Sequence, residues 1–248
     1  YHRFKSWFYY QKSLSNEKRN RRFIYGICDK YVMLAEGLIS QCQKYGHIDD
    51  NSKFEIIGNP ISMDNSSATL SLKKKECLFV GRLDSMKGID KLMRIWAIVE
   101  SRVKDWTLVI VGDGIMMPEV KNAIAHYQLE HVCLEEFQAD VKRYYQTASI
   151  FCMCSIYEGF PMVLPEAMGF GVVPIVFNSF AALDDILVDG EDGVKVTAFD
   201  EEAYSENLIA MMSDDVRLKM MQSKALENSR KFCVSSILEK WDELFKNL

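Results

Sequence analysis

The sequence predicts an α/β protein built on a doubly wound parallel sheet. From residue 76 onward, short and continuously apolar runs alternate with longer segments of helical periodicity. Such strands and amphipathic helices in alternation are typical of a parallel sheet that is covered on both faces. Because crossovers between parallel strands are right-handed, the sheet becomes doubly wound. We therefore expect one complete Rossmann-like domain over residues 76–248, within the usual size range of a domain.

The elements of this domain follow from the apolar pattern. Strands are predicted at the apolar runs, namely Cys77–Val80, Thr107–Val111, Val132–Glu135, Ile150–Cys154, Val172–Phe177 and Val194–Val196. Helices are predicted between and after them, near 88–103, 116–127, 139–147, 162–170, 180–187, 200–212, 214–230 and 233–247.

The segment before this domain carries fewer elements. A helix is expected over 3–27, a second one over Gly37–Tyr45, and strands at Tyr31–Ala35 and Lys53–Ile57. The turn Gly58-Asn59-Pro60 then leads into a polar linker over 61–75. Residues 1–60 would bury little surface alone. We expect them to be the end of a second α/β domain whose beginning is absent from this chain.

Composition narrows the functional class. The chain has 248 residues and a net charge of −5, which argues against nucleic acid as a partner. Its seven cysteines form no C-x-x-C motif and suit free thiols in a reducing cytosol, so a cytoplasmic location is expected. The four histidines show no metal-ligand spacing and no D-x-D motif occurs. Neither a metal site nor a cofactor is inferred.

The first 30 residues are basic and aromatic. They contain eight Lys or Arg residues against Glu17 and Asp29, and six of the first ten residues are aromatic. A helix of this kind can lie on an anionic membrane surface, which would give a peripheral contact at the inner membrane face. The simpler interpretation, which we favour, is a solvated helix that packs on a neighbouring domain. No apolar run approaches the roughly 20 residues that span a bilayer.

Two cations follow the first predicted strand of the domain. Arg82 and Lys87 lie in the loop between that strand and the next helix, and Gly81 and Gly88 border the loop. A diphosphate is bound well by a planar guanidinium, a compact ammonium and the N–H groups of a helix N-terminus. The alternative is an ordinary surface loop with two solvated cations.

Two acids border a later strand-to-helix turn. Glu158 and Glu166 are eight residues apart and follow the apolar run 149–154. Ligands of an open α/β sheet bind at the carboxyl ends of its strands, where carboxylates can accept hydrogen bonds from sugar or ribose hydroxyls. For Glu158 the alternative is a helix-capping role, worth up to about 1 kcal/mol.

The segment Gly112-Asp113-Gly114 is a candidate dinucleotide fingerprint. The G-x-G-x-x-G pattern requires a third glycine at position 117, where the chain has Met117. The dehydrogenase interpretation therefore fails, and a structural turn is expected for both glycines.

These motifs together resemble the donor-binding, C-terminal half of a GT-B glycosyltransferase. The resemblance rests on residues 79–88, 155–161, 165–169 and 171–176, and it is closest to the retaining family 4, the glycosyl transferases group 1. It implies that Arg82 and Lys87 contact the donor diphosphate.

The same resemblance assigns the acids and the backbone groups. It implies that Glu166 holds the ribose hydroxyls and that Glu158 lies beside the transferred sugar, so that Glu158, Arg82 and Lys87 are the catalytic candidates. It also implies that the donor contacts the loop glycines and backbone N–H groups at Gly81, Gly159, Phe160, Met162 and Val163.

The implied activity is transfer of a hexose, with retention, from a nucleoside diphosphate sugar of the UDP or GDP type. The acceptor would be a hydroxyl of a glycan or lipid-linked sugar in polysaccharide or glycolipid synthesis. Since the acceptor domain is largely missing, this chain alone is expected to turn over little. Two alternatives are a nucleotide-sugar epimerase of GT-B layout and a non-catalytic nucleotide-binding module.

Overall fold

The structure, a computed structural model, describes residues 18–66 and 68–248. The first helix (α1) is helical from 18 to 27, in agreement with the end of the predicted helix. The remainder of that prediction, with the aromatic residues of positions 1–10, lies outside the described residues.

A six-stranded sheet forms the centre of the molecule, and all of its strands are parallel. The strands lie in the order β5-β4-β3-β6-β7-β8, which is the order 3-2-1-4-5-6 of a Rossmann sheet. Their bounds are β3 Glu76–Val80, β4 Thr107–Val111, β5 Val132–Glu135, β6 Ile150–Met153, β7 Val173–Asn178 and β8 Val194–Thr197. The predicted doubly wound parallel sheet is therefore confirmed.

The helices cover both faces of this sheet. Their bounds are α3 Ile89–Arg102, α4 Met117–His126, α5 Lys142–Thr147, α6 Val163–Met168, α7 Leu183–Ile186, α8 Glu201–Ser213, α9 Asp215–Ser229 and α10 Val234–Lys246. One core cluster joins α3 and α8 to one face, and a second joins α5, α6 and α7 to the other. Alternate residues of the four central strands, β4, β3, β6 and β7, enter the two clusters, as the period of two requires.

Local hydrogen bonds set the element ends that the sequence placed differently. The N–H of Val172 donates to Ala167 O at 3.0 Å and closes the turn after α6, so β7 begins one residue later than predicted. The carboxylate of Asp140 accepts from the N–H of Lys142 at 2.9 Å, so α5 begins at 142 and not near 139. Strand β6 ends at Met153, one residue early.

A smaller unit precedes the sheet. Strands β1 (Tyr31–Met33) and β2 (Phe54–Ile56) pair in parallel, and α2 (Gly37–Gly46) lies between them in sequence. The carboxylate of Asp185 in α7 accepts from the backbone N–H groups of Glu36 and Gly37 at 2.8 and 3.1 Å. The start of α2 is thus held against α7. The predicted linker carries a 3₁₀ turn at Leu70–Leu72.

The structure shows the state of the cysteines, the character of the helices and the grouping of possible metal ligands. All seven cysteines are free thiols, as predicted. Among the described residues, no helix combines the length and the apolar character that a membrane crossing requires. The same part of the chain contains no cluster of three or more His, Cys, Asp or Glu side chains that could hold a metal ion.

Glu100 is a buried charge that joins α3 to the start of β5. Its side chain is 3% exposed and accepts from Trp96 Nε1 at 2.9 Å and from the backbone N–H groups of Glu130 and His131 at 2.7 and 3.2 Å. Burial alone would raise the pKa of Glu100, but these hydrogen bonds outweigh it and the pKa lies below its ordinary value. The carboxylate therefore adds stability that is lost as the pH falls through its folded pKa.

We predict that Glu100→Ala lowers the free energy of unfolding by about 2–4 kcal/mol, because one buried and two partly buried donors lose their acceptor. Urea denaturation measures this change. The control is Glu206→Ala. It removes an exposed acid of α8 that pairs with Arg102, on the same helix as Glu100, and should leave the stability nearly unchanged. Equal effects of the two variants would show that the Glu100 contacts contribute nothing.

Candidate functional site

The candidate site lies where the strand order reverses. Strand β3 leads into α3 on one face of the sheet, whereas β6 leads into α6 on the other face. Crossovers that leave in opposite directions open a crevice at the carboxyl ends of the two strands, and ligands of open α/β sheets bind there. The loop 81–88 follows β3 and the loop 154–162 follows β6, so both predicted motifs border this crevice.

The glycines of 112–114 support the loop after β3. A Cβ at Gly112 would lie 1.9 Å from Gly81 O, so only glycine allows the two chains to pass so closely. Leu83, fully buried, donates its N–H to Asp113 O and accepts from Met116 N, both at 2.9 Å. The expected structural role of this turn is confirmed: it carries the loop of Arg82.

Asp84 organises the two cations of the loop. One carboxylate oxygen accepts from the backbone N–H of Lys87 at 2.9 Å, and the other lies 3.2 Å from Nη2 of Arg82. The Arg82 side chain is 77% exposed, whereas that of Asp84 is 16% exposed. Asp84 was not among the site residues predicted from the sequence. Its place between the two cations, three residues before the N–H that it binds, is the signal that was available.

The two loops contact each other through their backbones. The N–H of Ile156 donates to Met86 O at 2.8 Å. Gly88, which precedes α3, has a φ of 66°, and a Cβ there would lie 2.0 Å from Cys154 O. A left-handed φ and this close approach both require glycine.

Lys87 and Glu158 meet across the crevice. Nζ of Lys87 lies 2.6 Å from Oε1 of Glu158, and their side chains are 28% and 14% exposed. The structure thus brings together one predicted cation from the first crossover and one predicted acid from a later crossover, 71 residues apart. A pair that is largely shielded from solvent is held more firmly than a surface pair, but it must offset the cost of desolvating both charges.

Glu166 lies on α6 and has a different partner. The hydroxyl of Tyr145 donates to its Oε2 at 3.4 Å. Burial raises the pKa of Glu166 above its ordinary value, and the Tyr145 hydrogen bond acts against that rise. The contacts of Arg82 and Glu166 are thus separate from the Lys87–Glu158 pair. Tyr145, whose side chain is fully buried, was not among the site residues predicted from the sequence.

The segment between the two acids begins α6. Met162 precedes the helix and Val163 is its first residue, so their N–H groups belong to the first turn, where no intrahelical acceptor exists. The ring of Phe160 packs edge-on against Phe232, with centroids 5.9 Å apart. A Cβ at Gly159 would meet no atom within 4 Å.

This chain belongs to the family of glycosyl transferases group 1, whose model matches residues 63–232, more than half of its length. Its fold is that of one half of a GT-B glycosyltransferase.

Three curated relatives with high coverage of this chain are glycosyltransferases by name. An uncharacterized glycosyltransferase of Haemophilus influenzae is 29% identical over 86% of this chain, and the amylovoran biosynthesis glycosyltransferase AmsD of Erwinia amylovora is 28% identical over 90%. An alpha-1,4-N-acetyl-D-galactosaminyltransferase of Campylobacter jejuni, whose name includes GalNAc and PP-undecaprenol, is 27% identical over 90%. The chain spans 60%, 63% and 62% of the lengths of these three proteins.

Solved structures share the fold at lower identity. Anabaena Alr3699/HepE in complex with UDP superposes with a TM-score of 0.83 at 18% identity, covering 95% of this chain and 68% of that one. The pneumococcal O-GlcNAc transferase GtfA in complex with UDP and GlcNAc gives 0.74 at 21% identity, covering 88% and 45%. At this identity the likeness shows the fold.

We predict that Gly88→Ala destabilises the protein much more than Gly190→Ala. Both glycines have left-handed φ values, 66° and 78°, but a Cβ at Gly190 meets no atom within 4 Å. Gly190→Ala should therefore cost only the conformational penalty of about 1–2 kcal/mol, whereas Gly88→Ala must also displace the backbone at Cys154. Denaturant unfolding measures both, and equal losses would contradict a tight contact between the two loops.

Proposed function

We propose that this protein is the donor-binding part of a retaining hexosyltransferase that uses a nucleoside diphosphate sugar of the UDP or GDP type. The observation that carries the proposal is the 2.6 Å contact between Lys87 and Glu158, which joins a cation and an acid at the switch point of the sheet. Membership in the group 1 family favours a transferase over an epimerase or a non-catalytic nucleotide-binding module.

The cations of the β3 loop suit the leaving group. As the bond to the sugar breaks, negative charge builds on the nucleoside diphosphate, and fixed positive groups beside it lower the barrier. Lys87 offers an ammonium already held in place by Glu158, and Arg82 offers an exposed guanidinium that can bind two phosphate oxygens at once. Gly81 would allow the backbone of this loop to lie close to the phosphates. The N–H groups of Met162 and Val163, at the start of α6, would donate to the same phosphates.

The acids suit the sugar and the ribose. Glu158 is nearly buried and stays in contact with Lys87, so one of its oxygens is fixed and the other can accept from sugar hydroxyls. We assign it the task of positioning the donor sugar, with Gly159 and Phe160 beside it, and not that of a nucleophile. Glu166 would accept hydrogen bonds from the ribose hydroxyls.

The names of the relatives support a place in polysaccharide or glycolipid synthesis, with a glycan or a lipid-linked sugar as acceptor. Solved relatives in complex with UDP support UDP as the nucleotide. We place the reaction in the cytoplasm, where seven free thiols persist. A peripheral contact of the basic N-terminal segment with the inner membrane face is compatible with this place.

We further propose that residues 1–60 end an acceptor domain, that 61–75 connect it, and that 76–248 form the donor domain. The greater length of the relatives and the separate β1–β2 pair support this division. Transfer would then need the rest of the acceptor domain, whereas donor binding would not.

Calorimetric titration of UDP into this chain tests the donor site. Lys87→Ala should weaken UDP binding about tenfold to a hundredfold, because a hydrogen bond between charged groups is lost. The matched control is Lys75→Ala, which removes a lysine that pairs with Asp105 at 2.6 Å just before β3, at the opposite edge of the sheet. Its UDP affinity should equal that of the wild type.

Glu158→Gln separates binding from transfer in the complete protein that includes this chain. UDP affinity should stay near the wild-type value or rise, since Lys87 loses a competing anion, while transfer is lost. Proton NMR of the wild-type product should show the anomeric configuration of the donor. Unchanged transfer in Glu158→Gln would overturn the role of Glu158, and an inverted product would overturn retention. Equal UDP affinities of Lys87→Ala and Lys75→Ala would overturn the role of Lys87.

A further inference from the structure

Tyr145 connects the hydrophobic core to the candidate site. Its side chain is 0% exposed and packs against Phe170 and Phe151, with ring centroids 6.0 and 6.2 Å away. Its hydroxyl, in contrast, is directed to Oε2 of Glu166 at 3.4 Å. A buried tyrosine hydroxyl usually finds a hydrogen-bond partner, and here that partner is the carboxylate to which the proposed function gives the ribose.

The chemistry of the pair fixes which group donates. Burial raises the pKa of the Tyr145 hydroxyl well above its ordinary value, and the charge of Glu166 raises it further. The hydroxyl therefore stays protonated and donates, and Glu166 accepts best as an ionised carboxylate. In this way the hydroxyl offsets part of the desolvation that favours the neutral acid.

The donor is held rigidly. The ring of Tyr145 is stacked on Phe170 with an interplanar angle of 16°. The backbone is fixed as well, because Nζ of Lys73 donates to the carbonyl oxygens of Tyr145 and Ala148, both at 2.8 Å. Because both the ring and the backbone of Tyr145 are held in place, its hydroxyl can set the orientation of the carboxylate that it contacts.

We propose that Tyr145 is a positioning residue for the donor site: its hydroxyl holds one oxygen of Glu166 so that the other faces the ribose hydroxyls of the nucleotide. The inference rests on the proposed function, since it assigns a partner to a residue of that site. It adds a specific role for a residue whose ring would otherwise only fill the core.

The test is Tyr145→Phe, which removes the hydroxyl and keeps the ring. UDP affinity at neutral pH should fall about threefold to tenfold, as expected for one lost hydrogen bond. The preference for UDP over 2′-deoxy-UDP should shrink at the same time, because Glu166 is no longer held toward the ribose. The matched control is Tyr144→Phe, which removes the neighbouring hydroxyl, whose partner is Arg143. That variant should bind both nucleotides like the wild type.

A pH profile distinguishes positioning from mere packing. In the described part of the chain, Tyr145 on α5 is the one titratable side chain that acts on Glu166; α9 and β7, which pack against α6, contribute none. Without the hydroxyl, the pKa of Glu166 rises further, so UDP binding should fail at a higher pH than in the wild type. Titrations from the ordinary pKa of a glutamate, about 4.3, up to neutral pH measure this loss of binding on the acid side, the acid limb of the profile.

The outcomes separate the inference from its foundation. If Glu166→Gln leaves UDP binding and ribose preference unchanged, the role of Glu166 in the proposed function is wrong. If Glu166→Gln weakens binding but Tyr145→Phe matches Tyr144→Phe in affinity, ribose preference and acid limb, the role of Tyr145 is wrong. Should Tyr145→Phe not fold, tyrosine labelled with ¹³C at Cζ in otherwise wild-type protein gives the answer: Glu166→Gln should shift the resonance of one buried tyrosine, and an unchanged spectrum would overturn the proposal.

Discussion

The site depends on one constraint, the close contact of two backbone loops at the point where the sheet reverses its winding. Gly88 and Cys154 approach each other more closely than any side chain would permit, and the Ile156–Met86 hydrogen bond holds the loops in register. Because α3 and α6 then leave toward opposite faces, the side chains just before and after this contact project into a shared crevice. The 2.6 Å distance between Lys87 and Glu158 is a consequence of that backbone geometry.

The cations of the crevice lie beside acidic side chains. Arg82 is held by Asp84 and Lys87 by Glu158, so each cation has an anion beside it. Under the proposed function, a bound diphosphate would replace these acids as the partner of the cations. Glu166 differs, because its partner Tyr145 is neutral and comes from the core. We interpret this difference as a division between groups that exchange partners and one that is held in a fixed orientation.

Much of the fold could be predicted from the sequence, because apolar strands and amphipathic helices alternate so regularly after residue 76. The errors lie at element ends, where single hydrogen bonds decide: that of Val172 to Ala167 delays β7, and that of Lys142 to Asp140 delays α5. For the site, the sequence predicts only that the cations and the acids lie at the same edge of the sheet. Two contacts could not be predicted, that of Lys87 with Glu158 and that of Tyr145 on α5 with Glu166 on α6. Both depend on side-chain packing that no spacing in the sequence encodes.

The location of the bound nucleotide shows whether the crevice is the donor site. The chain contains thirteen methionines, and ¹³C-methyl spectra can follow them individually during titration with UDP. We expect shifts at Met86 and Met162, in the two loops of the crevice, and none at Met220, exposed on α9. The contradicting result is a shift at Met63, which lines a separate cavity of about 410 Å³ beside α9 and α10, while Met86 and Met162 stay unchanged. Nucleotide binding would then lie outside the crevice between β3 and β6.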